Sequence, residues 1–342
     1  MIAPGAVPLG RRGRARRRGR PVIGGPLRAG DRAASIDLST AVGEVALDNP
    51  VMTASGTSGH GTELGAYGDL ASLGAVVVKS ISVEPWAGNP PPRVHEVEGG
   101  MLNSVGLQGP GLAAWLEQDL PALSAAGATV VLSLWGRSVA DFARAADRLG
   151  ALAPGDRRAV VALELNVSCP NVEDRSRMFA HSPTATAEVV HAAAGDLPRW
   201  VKLSPNVSDV REVAAAALEA GAEALTLVNT LLGLAIDVER GRPVLGGVGG
   251  GLSGPALHPV AVRAVWECRE AFPAVPIVGV GGVSRGRDAI ELLVAGADAV
   301  QVGTASFRDP RAPWKILAGV ERWCRAHGVA SVRQLVGSAH GR

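Results

Sequence analysis

The feature that most constrains this chain is a regular alternation of short apolar runs with longer amphipathic segments. Eight runs of four to seven residues, most of them rich in β-branched side chains, are each followed by polar residues or glycine. Such runs are typical of parallel strands that are buried on both faces. The predicted strands are Val51–Ala54, Ala75–Lys79, Thr129–Ser133, Val160–Asn166, Trp200–Leu203, Ala224–Val228, Pro276–Val280 and Ala299–Val302.

Segments with helical periodicity separate most of these runs. Several end in Ala-Gly-Ala directly before a strand, where glycine suits a helix C-cap. Eight strand–helix units predict an α/β fold of the (β/α)8 TIM-barrel type, with a doubly wound sheet as the alternative. The predicted helices are Leu112–Ala125, Val139–Leu149, Pro183–Ala194, Val210–Ala220, Pro259–Ala271 and Gly286–Ala295.

Two segments depart from the repeat. Ile36–Leu47 alternates loosely around Gly43, which indicates a short N-terminal hairpin. About thirty residues, Ser80–Pro110, separate the second predicted strand from the next helix. A long connection on the active face of a barrel usually covers a substrate, so we expect a β2α2 active-site loop here.

Residues 1–34 differ in composition from the rest of the chain. They carry nine Arg and one acidic residue, whereas the whole chain has a net charge of only +2. Their Arg, Gly and Pro content predicts a disordered extension, followed by one barrel domain over residues 35–342. The extension is either dispensable or an arm attracted to RNA or a membrane surface. The remaining body is mildly acidic and gives no indication of a nucleic-acid surface.

The three cysteines, Cys169, Cys268 and Cys324, have no CxxC spacing. This argues against a disulfide framework and against a metal or iron–sulfur site formed by this chain alone. The sequence has no apolar run of about 18 residues, and its basic start lacks the apolar core of a secretory signal. We therefore expect a cytoplasmic protein with no bound metal and no membrane segment.

Glycine-rich turns follow the last two predicted strands, at Gly279–Gly282 and Val302–Phe307. In barrels these two loops often bind a phosphate through backbone N–H groups. A single pair of glycines is as readily a tight turn, but two such turns after consecutive strands predict a phosphate-bearing cofactor. Thr304 adds a hydroxyl, and Gly250–Gly254 forms a third glycine-rich turn.

Lysine is rare here, with three residues among 34 Lys and Arg. Lys79 and Lys202 lie at or near the ends of buried strands. A fixed ammonium group there can stabilise negative charge on a reduced flavin or on an anionic substrate. The alternative is that they reach solvent from the strand ends, and we expect this of Lys315.

The most specific motif is NVSCPN at Asn166–Asn171. Cys169 precedes a proline in a loop after a strand, where a thiol can exchange a proton if its surroundings tune it. The amides of Asn166 and Asn171 suit the edge of a pyrimidine or a flavin, as do those of Asn103 and Asn229.

Two other site types are weaker. A Cys/His hydrolase is the alternative reading of the thiol, but His181, the nearby histidine, has no evident acidic partner. A dinucleotide-binding motif at Gly247–Gly251 lacks the preceding strand and the acidic residue that such a site needs.

Together these stretches resemble the dihydroorotate dehydrogenase family, most closely its class 1B, NAD-linked branch. Cys169 at the position of the base separates the chain from class 2 members, which use Ser. The matching stretches run in order through residues 49–307. They are NPVMTASG, VVVKSISVEPWAGNPPPRV, GMLNSVGLQGPG, ELNVSCPNV, WVKLSPNVSD, LTLVNTLLG, GGLSGPALHPVA, PIVGVGGVS and AVQVGTASF.

The resemblance implies FMN-dependent oxidation of (S)-dihydroorotate to orotate in pyrimidine biosynthesis. Cys169 would remove the C5 proton while hydride leaves C6 for flavin N5, with Lys79 as a second catalytic residue. Contacts to FMN are implied for Ser55, Lys79, Ser80, Ser133, Asn166, Lys202, Val228, Gly254, Gly281, Gly282, Gly303 and Thr304. Contacts to the substrate are implied for Lys79, Asn103, Ser104, Val105, Gly106, Leu107, Asn166, Asn229 and Thr230.

One position departs from the family pattern. Ser133 stands where the family usually places an Asn that faces FMN, and Trp135 nearby is also unusual, so a hydroxyl would replace the amide contact.

The class 1B resemblance further implies a partner subunit with FAD and a [2Fe–2S] cluster that passes electrons to NAD. The assembly would be a homodimeric core or a heterotetramer. The alternatives are a fumarate-linked class 1A enzyme and another FMN barrel acting on a pyrimidine.

Overall fold

Eight parallel strands form the central sheet of the computed structural model, which describes residues 35–341 apart from residues 154, 156 and 172–176. The predicted extension, residues 1–34, lies outside the described residues. The barrel strands are β1 (Val51–Thr53), β2 (Val76–Val77), β3 (Val130–Leu134), β4 (Val160–Asn166), β5 (Arg199–Leu203), β6 (Ala224–Leu227), β7 (Ile277–Val280) and β8 (Ala299–Val302).

The strands follow one another around the barrel in chain order, with β8 paired to β1. A parallel bridge between Met52 and Ala75 joins β1 to β2 and closes the ring. The predicted (β/α)8 barrel is therefore confirmed, and the strand bounds agree with the apolar runs to within about two residues, because buried parallel strands carry a strong local apolar signal.

Helices surround the sheet at the predicted places. The described α-helices are α1 (Leu112–Ala114), α2 (Leu120–Ala125), α3 (Val139–Gly150), α4 (Pro183–Ala192), α5 (Val210–Glu219), α6 (His258–Ala271), α7 (Gly286–Ala295), α8 (Ala305–Arg308) and α9 (Ala312–Ala326). A π-helical turn, Trp115–Asp119, joins α1 to α2. No helix in the described ranges combines the length and apolar character needed to cross a membrane.

The predicted hairpin pairs Thr40–Val42 with Val45–Leu47. Its apolar side chains continue a cluster that fills the lower barrel interior, which includes Met52, Val131 and Trp200. Because side chains alternate between the two faces of a strand, every second residue of each barrel strand points into this interior. The hairpin therefore packs against the end of the barrel opposite the strands' C-terminal ends.

The long loop after β2 forms an antiparallel pair, Val94–Val97 with Gly100–Asn103. This pair joins Gly250–Ser253 and Leu231–Gly233, both from the loop after β6, in one four-stranded sheet. The long β2α2 loop was predicted, but its pairing with a loop about 150 residues later was not, because no local pattern specifies that register. The small sheet contributes to the walls of the cavity described next.

Candidate active site

A cavity of about 640 Å³ lies at the C-terminal ends of the barrel strands. Its walls come from the βα loops and from the four-stranded sheet, and its volume suits a ligand of cofactor size. Most of the residues proposed from the sequence line it. These are Ser55, Lys79, Ser80, Asn103, Ser104, Val105, Gly106, Leu107, Asn166, Lys202, Val228, Asn229, Thr230, Gly281, Gly282, Gly303 and Thr304.

Two proposed cofactor residues, Ser133 and Gly254, do not line the cavity but contact residues that do. Ser133 is fully buried, and its Oγ lies 2.9 Å from the Oγ of Ser80, which does line the cavity. A Cβ placed on Gly282 would lie 2.8 Å from the carbonyl oxygen of Gly254, so Gly254 supports that turn from behind. Direct contacts from Ser133 and Gly254 to a cofactor stay predictions.

Cys169 is brought to the cavity's edge but does not line it. Its side chain is fully buried among core residues, and its Sγ donates a hydrogen bond to the backbone oxygen of Asn166 at 3.1 Å. Burial raises the pKa of this thiol to about 12. The neighbouring Ser168 faces the cavity instead. In this conformation the thiol is protonated at neutral pH, and its role as a base stays a prediction.

Among the described residues that line the cavity, Lys79 and Lys202 are the only charged ones. Burial, reinforced by the nearby guanidinium of Arg93, lowers the pKa of Lys79 to about 8. Both ammonium groups face the cavity, and the described residues that line it include no carboxylate, so this wall has a positive potential. It is therefore suited to anionic groups such as a carboxylate or a phosphate.

A chain of hydrogen bonds runs across the cavity wall. The Oγ atoms of Ser55 and Ser80 lie 3.1 Å apart, and Nδ2 of Asn166 donates to the Ser80 hydroxyl at 3.2 Å. Nδ2 of Asn229 in turn donates to Oδ1 of Asn166 at 3.0 Å, and the Thr230 amide donates to Oδ1 of Asn229. These contacts fix which way the two amides point, so their orientation is set before a ligand binds.

The turn after β7 has no room for a side chain. Gly282 has a φ of +67°, and a Cβ there would lie 2.7 Å from the Cβ of His258. The imidazole Nδ1 of His258 is 2.8 Å from the carbonyl oxygen of Gly281 and braces the same turn. Glycine is therefore required at position 282 by packing, and the turn brings its backbone to the cavity wall.

Several residues that line the cavity were not proposed from the sequence, among them Asn206, Asn89, Ser253 and Phe307. Asn206 donates to the Thr230 carbonyl oxygen at 3.0 Å, and its Oδ1 accepts a bond from the Leu232 amide. Asn206 follows β5 closely, so the rule that polar residues after barrel strands face the site would have found it. Asn89 and Ser253 depend on the four-stranded sheet and had no such signal.

Comparison with known proteins gives a consistent result. The family profile described as "Dihydroorotate dehydrogenase" matches residues 37–323. The chain is 48% identical over 304 residues to a protein of Geobacter sp. (strain M21), covering 88% of this chain and 98% of that protein. It is 47% identical over 307 residues to one of Desulforudis audaxviator, covering 89% and 98%. Both relatives are named "Dihydroorotate dehydrogenase B (NAD(+)), catalytic subunit".

Proposed function

The chain belongs to the dihydroorotate dehydrogenase family and oxidises dihydroorotate to orotate, and from this premise we propose that its cavity binds FMN and dihydroorotate side by side. The observation that carries the proposal is the presence of Lys79 and Lys202 on the wall of one cavity at the barrel mouth. The two ligands together bring a phosphate, a carboxylate and a ring that gains negative charge. Two fixed ammonium groups match that demand.

The residues present fit FMN. The crowded turn at Gly281–Gly282, with Gly303 and Thr304 from the next loop, offers backbone N–H groups to the phosphate. Lys202 and the ordered Ser80–Asn166 pair offer polar contacts to the ring. When bound, FMN supplies the acceptor for the hydride that the substrate gives up.

Dihydroorotate is proposed to bind against the loop Asn103–Leu107, with its carboxylate near Lys79. Asn166 and Asn229 present amide groups whose donors and acceptors complement the ring N–H and C=O groups of a pyrimidine. Leu107 adopts a left-handed backbone conformation with φ of +61°. Such strained residues cluster where a loop must hold a ligand in one geometry.

Cys169 is proposed as the base that removes the C5 proton. To act, its Sγ must leave the carbonyl oxygen of Asn166 and turn into the cavity, where Ser168 now points. Charge from the ammonium of Lys79 in the cavity would favour the thiolate over the neutral thiol. The thiolate would take the C5 proton, and bound FMN would supply the acceptor for the hydride that leaves C6.

The physiological acceptor is proposed to be NAD, reached through a partner subunit that carries FAD and a [2Fe–2S] cluster. The relatives' names, which contain both "NAD(+)" and "catalytic subunit", support this proposal. The three cysteines of the chain are separate buried thiols, so the cluster would belong to the partner. The assembly is proposed to be a heterotetramer around a homodimeric core.

The proposal is tested by anaerobic titration of the FMN-loaded protein. Dihydroorotate should bleach the flavin absorbance, whereas dihydrouracil, which lacks the carboxylate, should bleach it far more slowly. A protein that stays colourless after incubation with FMN would contradict the cofactor assignment. Turnover of NAD should appear only when a co-expressed iron–sulfur flavoprotein is added, and NAD reduction by this chain alone would contradict the partner.

A further inference from the structure

Three polar side chains meet inside the barrel at the cavity floor. Glu164 on β4 and Gln301 on β8 are fully buried, and Lys202 on β5 is only 6% exposed. Two residues earlier in the same strands lie Ala162, Trp200 and Ala299, all in the apolar cluster of the lower barrel. The polar layer therefore separates an apolar interior from the ligand cavity.

The three side chains are hydrogen-bonded to one another. Nζ of Lys202 lies 3.4 Å from Oε1 of Glu164 and 3.3 Å from Oε1 of Gln301. Nε2 of Gln301 donates to Oε2 of Glu164 at 2.6 Å. The ammonium is thus held by side chains from strands β4 and β8, while Lys202 still lines the cavity.

Stability does not explain this arrangement. Removing a carboxylate and an ammonium from water is costly, and a well-packed apolar trio of similar volume is often as stable or more so. The layer directly below shows that this barrel can be filled with apolar side chains. The buried charges therefore indicate a role in the cavity rather than in stabilising the fold.

We propose that Glu164 is a positioning residue that, with Gln301, fixes the Lys202 ammonium in the cavity floor and partly offsets its charge. The inference rests on the proposed function, in which FMN occupies this cavity. Lys202 lines the cavity and the fully buried Glu164 does not, so a bound flavin meets the ammonium rather than the carboxylate. The trio thereby sets how readily the flavin is reduced.

The first variant is Glu164→Gln, which keeps the shape and removes the charge. Bound FMN should become easier to reduce, because a buried negative charge near it is gone. Spectroelectrochemistry against a reference dye should show an equilibrium constant for reduction larger by on the order of tenfold. Asp298→Asn is the matched control, because Asp298 forms a partly buried ion pair with Arg269 at the other end of β8 and its loss should leave the potential unchanged.

The second variant exchanges the two partners, Glu164→Gln with Gln301→Glu. Both Oε1 atoms lie at nearly the same distance from Nζ, so the exchanged pair restores one carboxylate and one amide around the ammonium. The reduction potential should return to within about twofold in equilibrium constant of the original protein. If Glu164→Gln shifts the reduction potential of bound FMN and the exchanged variant does not restore it, the proposal is overturned.

Should Glu164→Gln fail to fold, Glu164→Gln with Lys202→Met carries no unpaired buried charge. With the nearer, positive charge also gone, its bound FMN should be harder to reduce than in the original protein. An unchanged potential in either FMN-loaded variant would overturn the inference and leave the proposed function standing. If the original protein binds no FMN, both this inference and the proposed function are overturned.

Discussion

The sulfur of Cys169 lies 3.1 Å from the backbone oxygen of Asn166, whose own amide side chain lines the ligand cavity. Cys169, the proposed base, is therefore hydrogen-bonded to the C-terminal end of β4, where the side chain of Asn166 is a proposed ligand contact. Rotation of this short segment would exchange the thiol for Ser168 at the cavity wall.

Cys169→Ala should retain bound FMN and lose turnover by at least about a hundredfold, the usual contribution of a positioned general base. Flavin absorbance measures the first property, and steady-state oxidation of dihydroorotate measures the second. Cys268→Ala is the matched control, because burial also raises the pKa of Cys268 to about 12 but this thiol lies in α6. Unchanged turnover in Cys169→Ala would remove the base assignment.

The pH dependence of turnover follows from the same thiol. Because the pKa of Cys169 is raised to about 12, its thiolate fraction grows about tenfold per pH unit below that value. Turnover should therefore rise between pH 6 and 8 in the original protein, the range in which Lys79 keeps its charge. Cys169→Ser should show a much lower rate over the same range, because a hydroxyl is far harder to deprotonate. A flat profile in the original protein would contradict a rate-limiting role for the thiolate.

Lys79→Met should stabilise the fold at pH 7 while weakening orotate binding. The pKa of Lys79 is lowered from 10.5 to about 8, chiefly by burial, so between these values the unfolded chain binds more protons than the folded one. Stability of the original protein therefore rises with pH from about 8 to 10.5, and below pH 8 the folded protein bears the full cost of the buried charge. Its removal should add on the order of 1 to 3 kcal/mol at pH 7.

Urea unfolding at pH 7 and pH 10 measures this effect, and fluorescence or calorimetric titration measures the affinity for orotate. The original protein's affinity should also decline as the pH rises through 8, since the ammonium loses its charge. Lys315→Met is the control, because Lys315 is exposed and pairs with Asp309. A Lys79→Met protein that is less stable at pH 7, or that binds orotate as tightly, would refute the role assigned to this lysine.

Gly282→Ala should weaken FMN binding by at least about tenfold, equivalent to about 1.4 kcal/mol. The added Cβ would lie 2.7 Å from the Cβ of His258 at a backbone φ of +67°, so the turn must shift. Gly150→Ala is the control, because a Cβ there meets nothing within 4 Å. Equal FMN affinities for the two variants, measured by quenching of flavin fluorescence, would place the phosphate elsewhere.

The barrel could be read from the sequence because its signals are local. Each apolar run, such as Val160–Asn166, and each Ala-Gly-Ala turn is specified within a few residues. Polar residues after those runs also gave most of the cavity wall, since parallel strands end on the same face of the barrel. Contacts between residues that are distant in the sequence could not be predicted in this way. Gln301 contacts Glu164 across 137 positions, and only barrel closure brings them together.

Side-chain direction was the other property that the sequence could not supply. NVSCPN indicates a reactive loop, but whether Ser168 or Cys169 faces the cavity depends on the backbone path after β4. Ser133 is similar, since its side chain contacts Ser80 and does not itself line the cavity.

The described residues that line the cavity all lie between Ala54 and Phe307. Deletion of residues 1–34 should therefore leave the rate of flavin bleaching by dihydroorotate unchanged within about twofold, the spread expected for changes remote from a site. Stopped-flow absorbance provides the comparison. A large loss of bleaching in the shortened protein would show that the Arg-rich segment takes part in catalysis.

A crystal structure of the FMN-loaded protein with orotate tests the central claim most directly. We expect the FMN phosphate against Gly282 and Thr304, the flavin ring above Lys202, and the orotate carboxylate within hydrogen-bonding distance of Lys79. Density for either ligand outside this cavity, or a carboxylate that has no contact with Lys79, would contradict it.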